Sequence, residues 1–181
     1  MTLGPDFASI LGGAKSGAEW AWAALYRDLV GPVTGYLAAR GAQDPDDLAS
    51  ETFLQVARDI ASFAGDESGF RSWLFTIAHH RLLDSKRAAG RRPRPTALVE
   101  PLSEPEGGNA EDEALSRLAT ARVLSALERL TEDQRMVLSL RIIADLSLAE
   151  TARVLGRRTG AVKALQHRAL LALKREIEGE E

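Results

Sequence analysis

The chain has 181 residues, enough for one large domain or two small ones, and 45% of them are hydrophobic, an ordinary share for a packed core. It contains no cysteine, which excludes disulfides and thiolate metal sites within this sequence. No apolar run approaches the roughly 18–20 residues that span a bilayer, and the first residues lack the basic start of a signal peptide. These features predict a cytoplasmic protein without membrane insertion.

The charges are unevenly distributed, although the formal net charge is only -3. Residues 116–181 carry twelve basic and nine acidic side chains, and residues 151–175 within them carry seven basic and no acidic ones. A second basic cluster, over residues 81–94, is interrupted only by Asp84. Two basic stripes on an acidic chain indicate local contacts with nucleic acid, whereas the alternative for each stripe alone is a solvated helix face.

Apolar residues recur at helical spacing and strand patterns are nearly absent, so the predicted fold class is all-α. The first long helix is predicted over residues 18–40, where Gly31 and Pro32 should kink or break it. Asp44 then predicts an N-cap and Pro45 the first position of a helix that ends near residue 60.

A loop over residues 63–69 precedes another long predicted helix over residues 70–89. Helical periodicity returns over residues 114–177, with breaks marked by capping boxes. Residues 131–134 and 147–150 both fit this pattern, in which two helix-terminal amides are satisfied reciprocally.

The composition changes abruptly over residues 91–113. Four of the seven prolines and six acidic residues lie in this stretch, which predicts a flexible linker. We therefore predict two small helical domains, residues 1–90 and 114–181, joined by this linker, with no internal repeat.

Residues 148–173 have the spacing of a helix-turn-helix. Ala152 allows the two helices to approach, Gly156 can adopt the left-handed turn conformation, and Val162 packs the second helix into the core. Thr159 is predicted to cap the second helix. Its predicted buried stripe consists of Val162, Leu165, Ala169 and Leu173. The side chains predicted to reach base edges or phosphates in a major groove are Arg158, Lys163, Gln166 and His167. The alternative is an αα-hairpin with a basic outer face.

The predicted helix over residues 70–89 interleaves aromatic and basic side chains. Such a platform suits single-stranded DNA, and trapping unstacked bases offsets the cost of opening a duplex. The set comprises Phe70, Arg71, Trp73, Phe75, His79, His80 and Arg81. The alternative is that Trp73, Leu74 and Ile77 simply belong to the core.

The sequence offers no signal for catalysis, a cofactor or a metal. None of the three histidines has a carboxylate within three positions, and the neighbours His79 and His80 point about 100° apart on a helix. Residues 12–16, GGAKS, lack the second glycine of a phosphate-binding loop. We therefore expect no enzyme activity.

Four motifs, in order along the chain, resemble bacterial extracytoplasmic-function (ECF, group 4) sigma factors of the sigma-70 family. DPDDLASETFL over residues 44–54 and FRSWLFTIA over residues 70–78 are similar to region 2 of that family. LERLTEDQR over residues 127–135 and GAVKALQHRA over residues 160–169 look like region 4. The resemblance covers nearly the whole chain.

The resemblance implies a promoter-specificity factor that binds core RNA polymerase, recognises the −35 and −10 promoter elements and helps to open the DNA. It also implies an anti-sigma factor as a partner, and a linker that threads through the polymerase. The residues implied in polymerase binding are Asp46, Asp47, Glu51 and Gln55. Those implied at the −10 element are Phe63, Asp66, Ser68, Arg71, Trp73, His80, Arg81, Asp84, Lys86 and Arg87. Those implied at the −35 element are Arg158, Thr159, Lys163, Gln166, His167 and Arg168.

The recognition helix departs from the GTVKSR that the family often has, because Ala161, Ala164 and Leu165 replace its two hydroxyls and one of its cations. Fewer polar side chains therefore remain for base reading. The alternative function is a stand-alone helix-turn-helix regulator of the response-regulator type, with an N-terminal partner or ligand domain. A receiver domain in that place would show alternating strands and helices. A third possibility is an adaptor whose helices bind only proteins.

Overall fold

The computed structural model describes residues 3–89 and 129–178, with side chains to residue 175. These residues form helices and no strand, so the all-α prediction is confirmed. The N-terminal part runs through a 3-10 turn (Gly4–Asp6), α1 (Phe7–Lys15), α2 (Glu19–Ala39), α3 (Pro45–Asp59), a second 3-10 turn (Ile60–Ser62) and α4 (Glu67–Ala89). The C-terminal part contains α5 (Glu132–Leu138), a π-helical turn (Ser139–Ile143), α6 (Leu148–Val154) and α7 (Thr159–Glu178).

Local sequence signals set the ends of α3 but do not interrupt α2. The Asp44 carboxylate accepts a hydrogen bond from the Asp47 amide at 2.8 Å, and Pro45 is the first helical residue, which confirms the predicted cap. Of the kink or break predicted at Gly31 and Pro32, the break is wrong, since α2 continues through both residues. Leu29 and Val33 are fully buried on either side of Pro32, so packing of the apolar face offsets the hydrogen bond that proline removes.

Helix α4 begins three residues earlier than predicted, because Asp66 caps it. The Asp66 carboxylate accepts from the Gly69 amide at 2.7 Å, and its carbonyl accepts from the Phe70 amide at 2.9 Å. The loop before α4 therefore shortens to residues 63–66. The cap places Glu67 in the first turn of the helix, where the helix dipole favours a carboxylate.

Both predicted capping boxes in the C-terminal part are confirmed, at Thr131 with Gln134 and at Ser147 with Glu150. The helix-turn-helix is formed by α6 and α7, with Gly156 at a φ of 59° in the turn between them. The predicted cap of α7 is wrong, because Thr159 is already helical. The Arg158 carbonyl accepts the first bonds of the helix instead, from the amides of residues 161 and 162.

One hydrophobic cluster joins the N-terminal and C-terminal parts. Phe70 and Leu74 of α4 belong to the same buried cluster as Leu140, Ala144 and Leu146. The sequence did not predict that the two parts would pack against each other. The linker predicted over residues 91–113 lies outside the described residues. Within the described ranges, every helix is too short or too polar to cross a bilayer.

Candidate nucleic-acid and protein interfaces

Helix α7 presents a basic face to solvent. Its predicted buried stripe is confirmed, since Val162 and Ala169 have no exposed surface, Leu165 is buried and Leu173 packs partly on the core. The opposite side exposes five of the residues predicted to contact the −35 element: Arg158, Thr159, Lys163, His167 and Arg168. Residues 151–175 contain no acid that could pair with these cations locally. These side chains are therefore open to solvent, with no acidic neighbour within residues 151–175.

The turn before α7 is fixed to the helices beneath it. Ala152 of α6 packs with Val137, Val162 and Leu165 in a small core, as the helix-turn-helix spacing predicts. The Arg157 guanidinium donates to both carboxylate oxygens of Asp133, at 2.9 and 3.0 Å. Half-buried Gln166 accepts a hydrogen bond from Arg141 at 3.2 Å, so it is the least available of the predicted −35 residues.

The first turns of α4 are covered by the C-terminal part. Arg71 is 5% exposed, and its guanidinium donates to the carbonyls of Ala144 and Asp145 at 2.7 and 3.2 Å. The Ser68 hydroxyl accepts a hydrogen bond from Arg153 at 2.9 Å. Two residues predicted at the −10 element thus contact the helix-turn-helix domain in this arrangement.

An aromatic cluster lines the loop over residues 63–66. The rings of Phe63 and Trp73 are stacked with centroids 5.2 Å apart and an interplanar angle of 27°. Phe70 meets Phe63 edge-on at 5.4 Å and is itself fully buried. Since both Phe63 and Trp73 are half-buried, Trp73 is neither a pure core residue nor a free platform.

The later turns of α4 carry the remaining predicted −10 residues. His80 is exposed, Asp84 pairs with Arg87 at 2.9 Å, and Arg81 points back to α3. Lys86 lies 3.5 Å from the Glu132 carboxylate. Burial lowers the pKa of the Lys86 ammonium, and Glu132 opposes that change.

Helix α3 presents an acidic face beside this region. Asp46, Asp47 and Glu51 are exposed and Gln55 is half-buried, so the predicted polymerase-binding residues lie along one side of the helix. An open groove between α3 and α4 is lined by the carboxylates of Asp44, Asp47, Glu51 and Asp84 and by Arg81. Excess negative charge in this groove favours a basic protein surface over DNA.

Arg81 connects the acidic face to the predicted −10 surface. Its guanidinium donates to the Gln55 amide oxygen at 2.9 Å and lies 3.8 Å from the Glu51 carboxylate. The structure therefore brings one predicted −10 residue next to two predicted polymerase-binding residues.

A polar network that the sequence did not predict connects α2 and α4, where it is buried, to the exposed Glu132 of α5. The Tyr36 hydroxyl and His79 Nδ1 are hydrogen-bonded at 2.9 Å, and Arg40, only 1% exposed, forms an ion pair with Glu132. Burial, and then the Arg40 charge, lowers the pKa of His79 to about 4. The hydrogen bond from Arg40 lowers the pKa of Glu132. No local signal could reveal this pair, because its partners lie 92 positions apart.

Among the described residues, no group of three His, Asp or Glu side chains is arranged to hold a metal ion. The basic face of α7, the stacked rings of Phe63 and Trp73 and the acidic face of α3 offer charged and aromatic contact surfaces.

Two known family models match this chain, one in its N-terminal part and one in its C-terminal part. The family model described as Sigma-70 region 2 matches residues 22–92, and Sigma-70, region 4 matches residues 126–175. The ECF RNA polymerase sigma factor BldN of Streptomyces coelicolor is 37% identical over 90% of this chain, which spans 62% of BldN. RNA polymerase sigma factor YlaC of Bacillus subtilis is 33% identical over 84% of this chain and 90% of its own length. The chain belongs to the ECF sigma factors of the sigma-70 family.

A solved structure is similar to this chain over nearly all of its length. CnrH, solved in complex with the cytosolic domain of CnrY, is 25% identical with a TM-score of 0.72, over 97% of this chain and 99% of that one. Residues 3–89 contain helices and no strand, so an N-terminal receiver domain of alternating strands and helices is excluded.

Proposed function

We propose that this chain is a promoter-specificity subunit of RNA polymerase that acts in the cytoplasm and catalyses no reaction itself. Residues 1–90 would bind core polymerase and the −10 element, residues 91–113 would connect the domains, and residues 114–181 would bind the −35 element. The observation that carries the proposal is the separation of two surfaces of opposite charge. The exposed face of α7 is basic, and that of α3 is acidic.

The −35 element is assigned to α7, whose exposed Lys163, His167 and Arg168 lie where a recognition helix enters a major groove. Ala161 and Ala164 leave the first turns narrow, which favours close approach to the DNA backbone. With fewer polar side chains than the family pattern, we expect phosphate contacts to contribute more of the affinity than base contacts.

The −10 element is assigned to the loop over residues 63–66 and to α4. The stacked pair of Phe63 and Trp73 offers an aromatic surface to an unstacked base. Because Arg71 and Ser68 contact the C-terminal part, these two residues can bind the −10 strand only after the domains separate.

Core polymerase is assigned to the acidic face of α3, namely Asp46, Asp47, Glu51 and Gln55. Polymerase that holds both domains at the promoter spacing converts two weak DNA contacts into one strong one. This arrangement explains how a chain with a net charge of -3 would bind DNA.

An anti-sigma factor is a further proposed partner. The similar CnrH is solved with the cytosolic domain of CnrY, which supports a protein partner of this kind for the present chain.

The test is to mix the purified chain with core polymerase and to measure co-elution, together with run-off transcription from a linear template that carries a cognate promoter. We expect a stable complex and transcripts that depend on the added chain. A chain that neither co-elutes with core nor starts transcription would overturn the proposal. A chain that binds DNA with a steep salt dependence but ignores core would favour the stand-alone regulator.

A further inference from the structure

The loop over residues 63–66 is held at both ends by the same N-terminal segment, defined here as residues 3–15. At one end, the Lys15 ammonium donates to the Phe63 carbonyl at 2.5 Å. At the other end, the Glu67 carboxylate accepts from the backbone amides of Leu3 and Gly4, at 2.6 and 3.1 Å. These contacts join positions 48, 64 and 63 residues apart, so they are tertiary contacts and not part of a local turn.

The segment between these two contacts is rigid. Helix α1 has 9 residues, which at about 1.5 Å per residue makes a strut of roughly 13 Å. It is anchored in the core by Phe7, Ile10 and Ala14, all buried. The Phe7 ring also packs on Phe70, with centroids 5.6 Å apart. A rigid element fixed to Phe63 and to Glu67 sets the separation of the two ends of the loop.

The loop itself combines exposure with restriction. Ala64, Gly65 and Asp66 are exposed, although the loop is short and bounded by two helical turns. Gly65 has a φ of 157°, and a Cβ there would lie 3.1 Å from the Phe63 ring. An exposed loop held in one shape suits a ligand that must be received without ordering the loop first, since each residue ordered on binding costs about 1–2 kcal/mol.

The region 2 match begins at residue 22, so it does not include the N-terminal segment. We propose that this segment is a positioning element for the loop, with Lys15 and Glu67 as its two positioning residues. In this role, they hold the loop in the shape that receives an unstacked promoter base. The inference rests on the proposed function, because the occupant of the loop is a −10 base.

The alternative is that the segment only stabilises the N-terminal domain. The two roles differ in one measurable quantity, the discrimination ratio. This is the rate of open-complex formation on the preferred −10 base divided by the rate on a substituted base. A loss of folded protein lowers both rates equally and leaves the ratio unchanged. A distorted loop lowers the first rate more than the second.

The experiment uses full-length chain with core polymerase on promoters that carry single substitutions across the −10 element. The 2-aminopurine fluorescence at each position reports base unstacking. The variants are Lys15→Met, which keeps the aliphatic stem, and Glu67→Ala. Exposed charges elsewhere provide matched controls: Arg58→Met removes a cation at the end of α3, and Glu19→Ala removes a carboxylate from the first turn of α2.

We expect Lys15→Met and Glu67→Ala to reduce the ratio at one −10 position by about three- to tenfold, the scale of one exposed charged hydrogen bond. Lys15→Arg should restore it, while both controls and competition for core remain as in the wild type. An unchanged ratio in Lys15→Met and Glu67→Ala, with wild-type initiation intact, would overturn the positioning role. Wild-type chain that shows no initiation at all would instead overturn the proposed function.

Discussion

The two helices predicted to touch DNA differ in how much of their basic surface is open. In α7, Lys163, His167 and Arg168 are exposed. In α4, Arg71 is buried under the carbonyls of Ala144 and Asp145. Both helices have cations at helical spacing, so the difference does not come from local sequence. The difference comes from the helix that each one packs against. Because the cations of α7 are open to solvent, we expect α7 to bind DNA without rearrangement.

Helix α4, whose first turns the C-terminal part covers, also contains side chains with shifted pKa values. His79 is buried beside Tyr36 and Arg40, and burial lowers its pKa to about 4. No comparable network lies under the exposed cations of α7 among the described residues. The comparison therefore predicts that changes to α7 act on DNA binding, whereas changes beneath α4 act first on stability.

The largest effect is expected from Lys163→Ala combined with Arg168→Ala. Loss of two exposed cations from the open face should reduce −35-dependent initiation roughly 30-fold or more. Run-off transcription checks this, and competition for core should stay at the wild-type level. An equal loss of core binding would contradict the assignment of separate surfaces. The matched control is Lys174→Ala with Arg175→Ala, which removes the same charge near the end of the helix.

Acid should destabilise the covered helix. The pKa of His79 is about 4 in the folded chain against 6.5 ordinarily, so the unfolded chain binds the extra proton. The contribution of neutral His79 to the free energy of unfolding is then fully present above about pH 6.5. It falls as the pH decreases toward 4, and about 2 kcal/mol of it is lost at pH 5. Denaturant unfolding at pH 7.5 and pH 5 measures this loss. His79→Gln should flatten the dependence while His80→Gln, at an exposed position, should not; the reverse pattern would contradict the assignment.

Substitutions in the acidic face of α3 should weaken binding to core polymerase and leave DNA binding unchanged, the opposite of what we expect for α7. Asp47→Ala with Glu51→Ala should weaken binding to core polymerase about tenfold, because two charges at a protein contact are lost. DNA contacts at −35 should remain intact. Competition against a labelled sigma factor measures the effect, with Asp6→Ala and Glu19→Ala as a charge-matched control. Unchanged competition would exclude this docking face.

The smallest effect is expected at the ion pair between the two parts. Glu132→Gln keeps an acceptor for Arg40 but removes the charge, which should lower the free energy of unfolding by about 1 kcal/mol. Because the pair bridges α2 and α5, limited proteolysis should also separate the parts more readily. The exposed pair of Asp84 and Arg87 offers a control, since Asp84→Asn should change neither property.

Sequence signals within a few residues of each helix end predict most of the helices. Caps at Asp44, Thr131 and Ser147 were correct, because each is decided by residues three positions away. The break at Pro32 was wrong, since burial on both sides of the proline outweighs the local penalty. The cap at Thr159 was one residue late, a difference that hydrogen bonding to the Arg158 carbonyl decides.

The sites were harder to predict than the helices. Exposure of the α7 cations follows from amphipathic spacing, so it could be predicted. Burial of Arg71, and the contacts of Lys15 and Glu67 with distant backbone, depend on packing between segments about 50 to 70 residues apart. Residue types at those positions are ordinary surface types, and nothing in their neighbours distinguishes them.

The existence of two separate DNA contacts is best tested by selection from a promoter library with both elements randomised, transcribed by core polymerase with and without the chain. We expect two enriched sequence blocks at a fixed spacing. Lys163→Ala with Arg168→Ala should remove the upstream block and leave the downstream one. A single enriched block, or enrichment that does not require core polymerase, would contradict a chain with two separate DNA contacts.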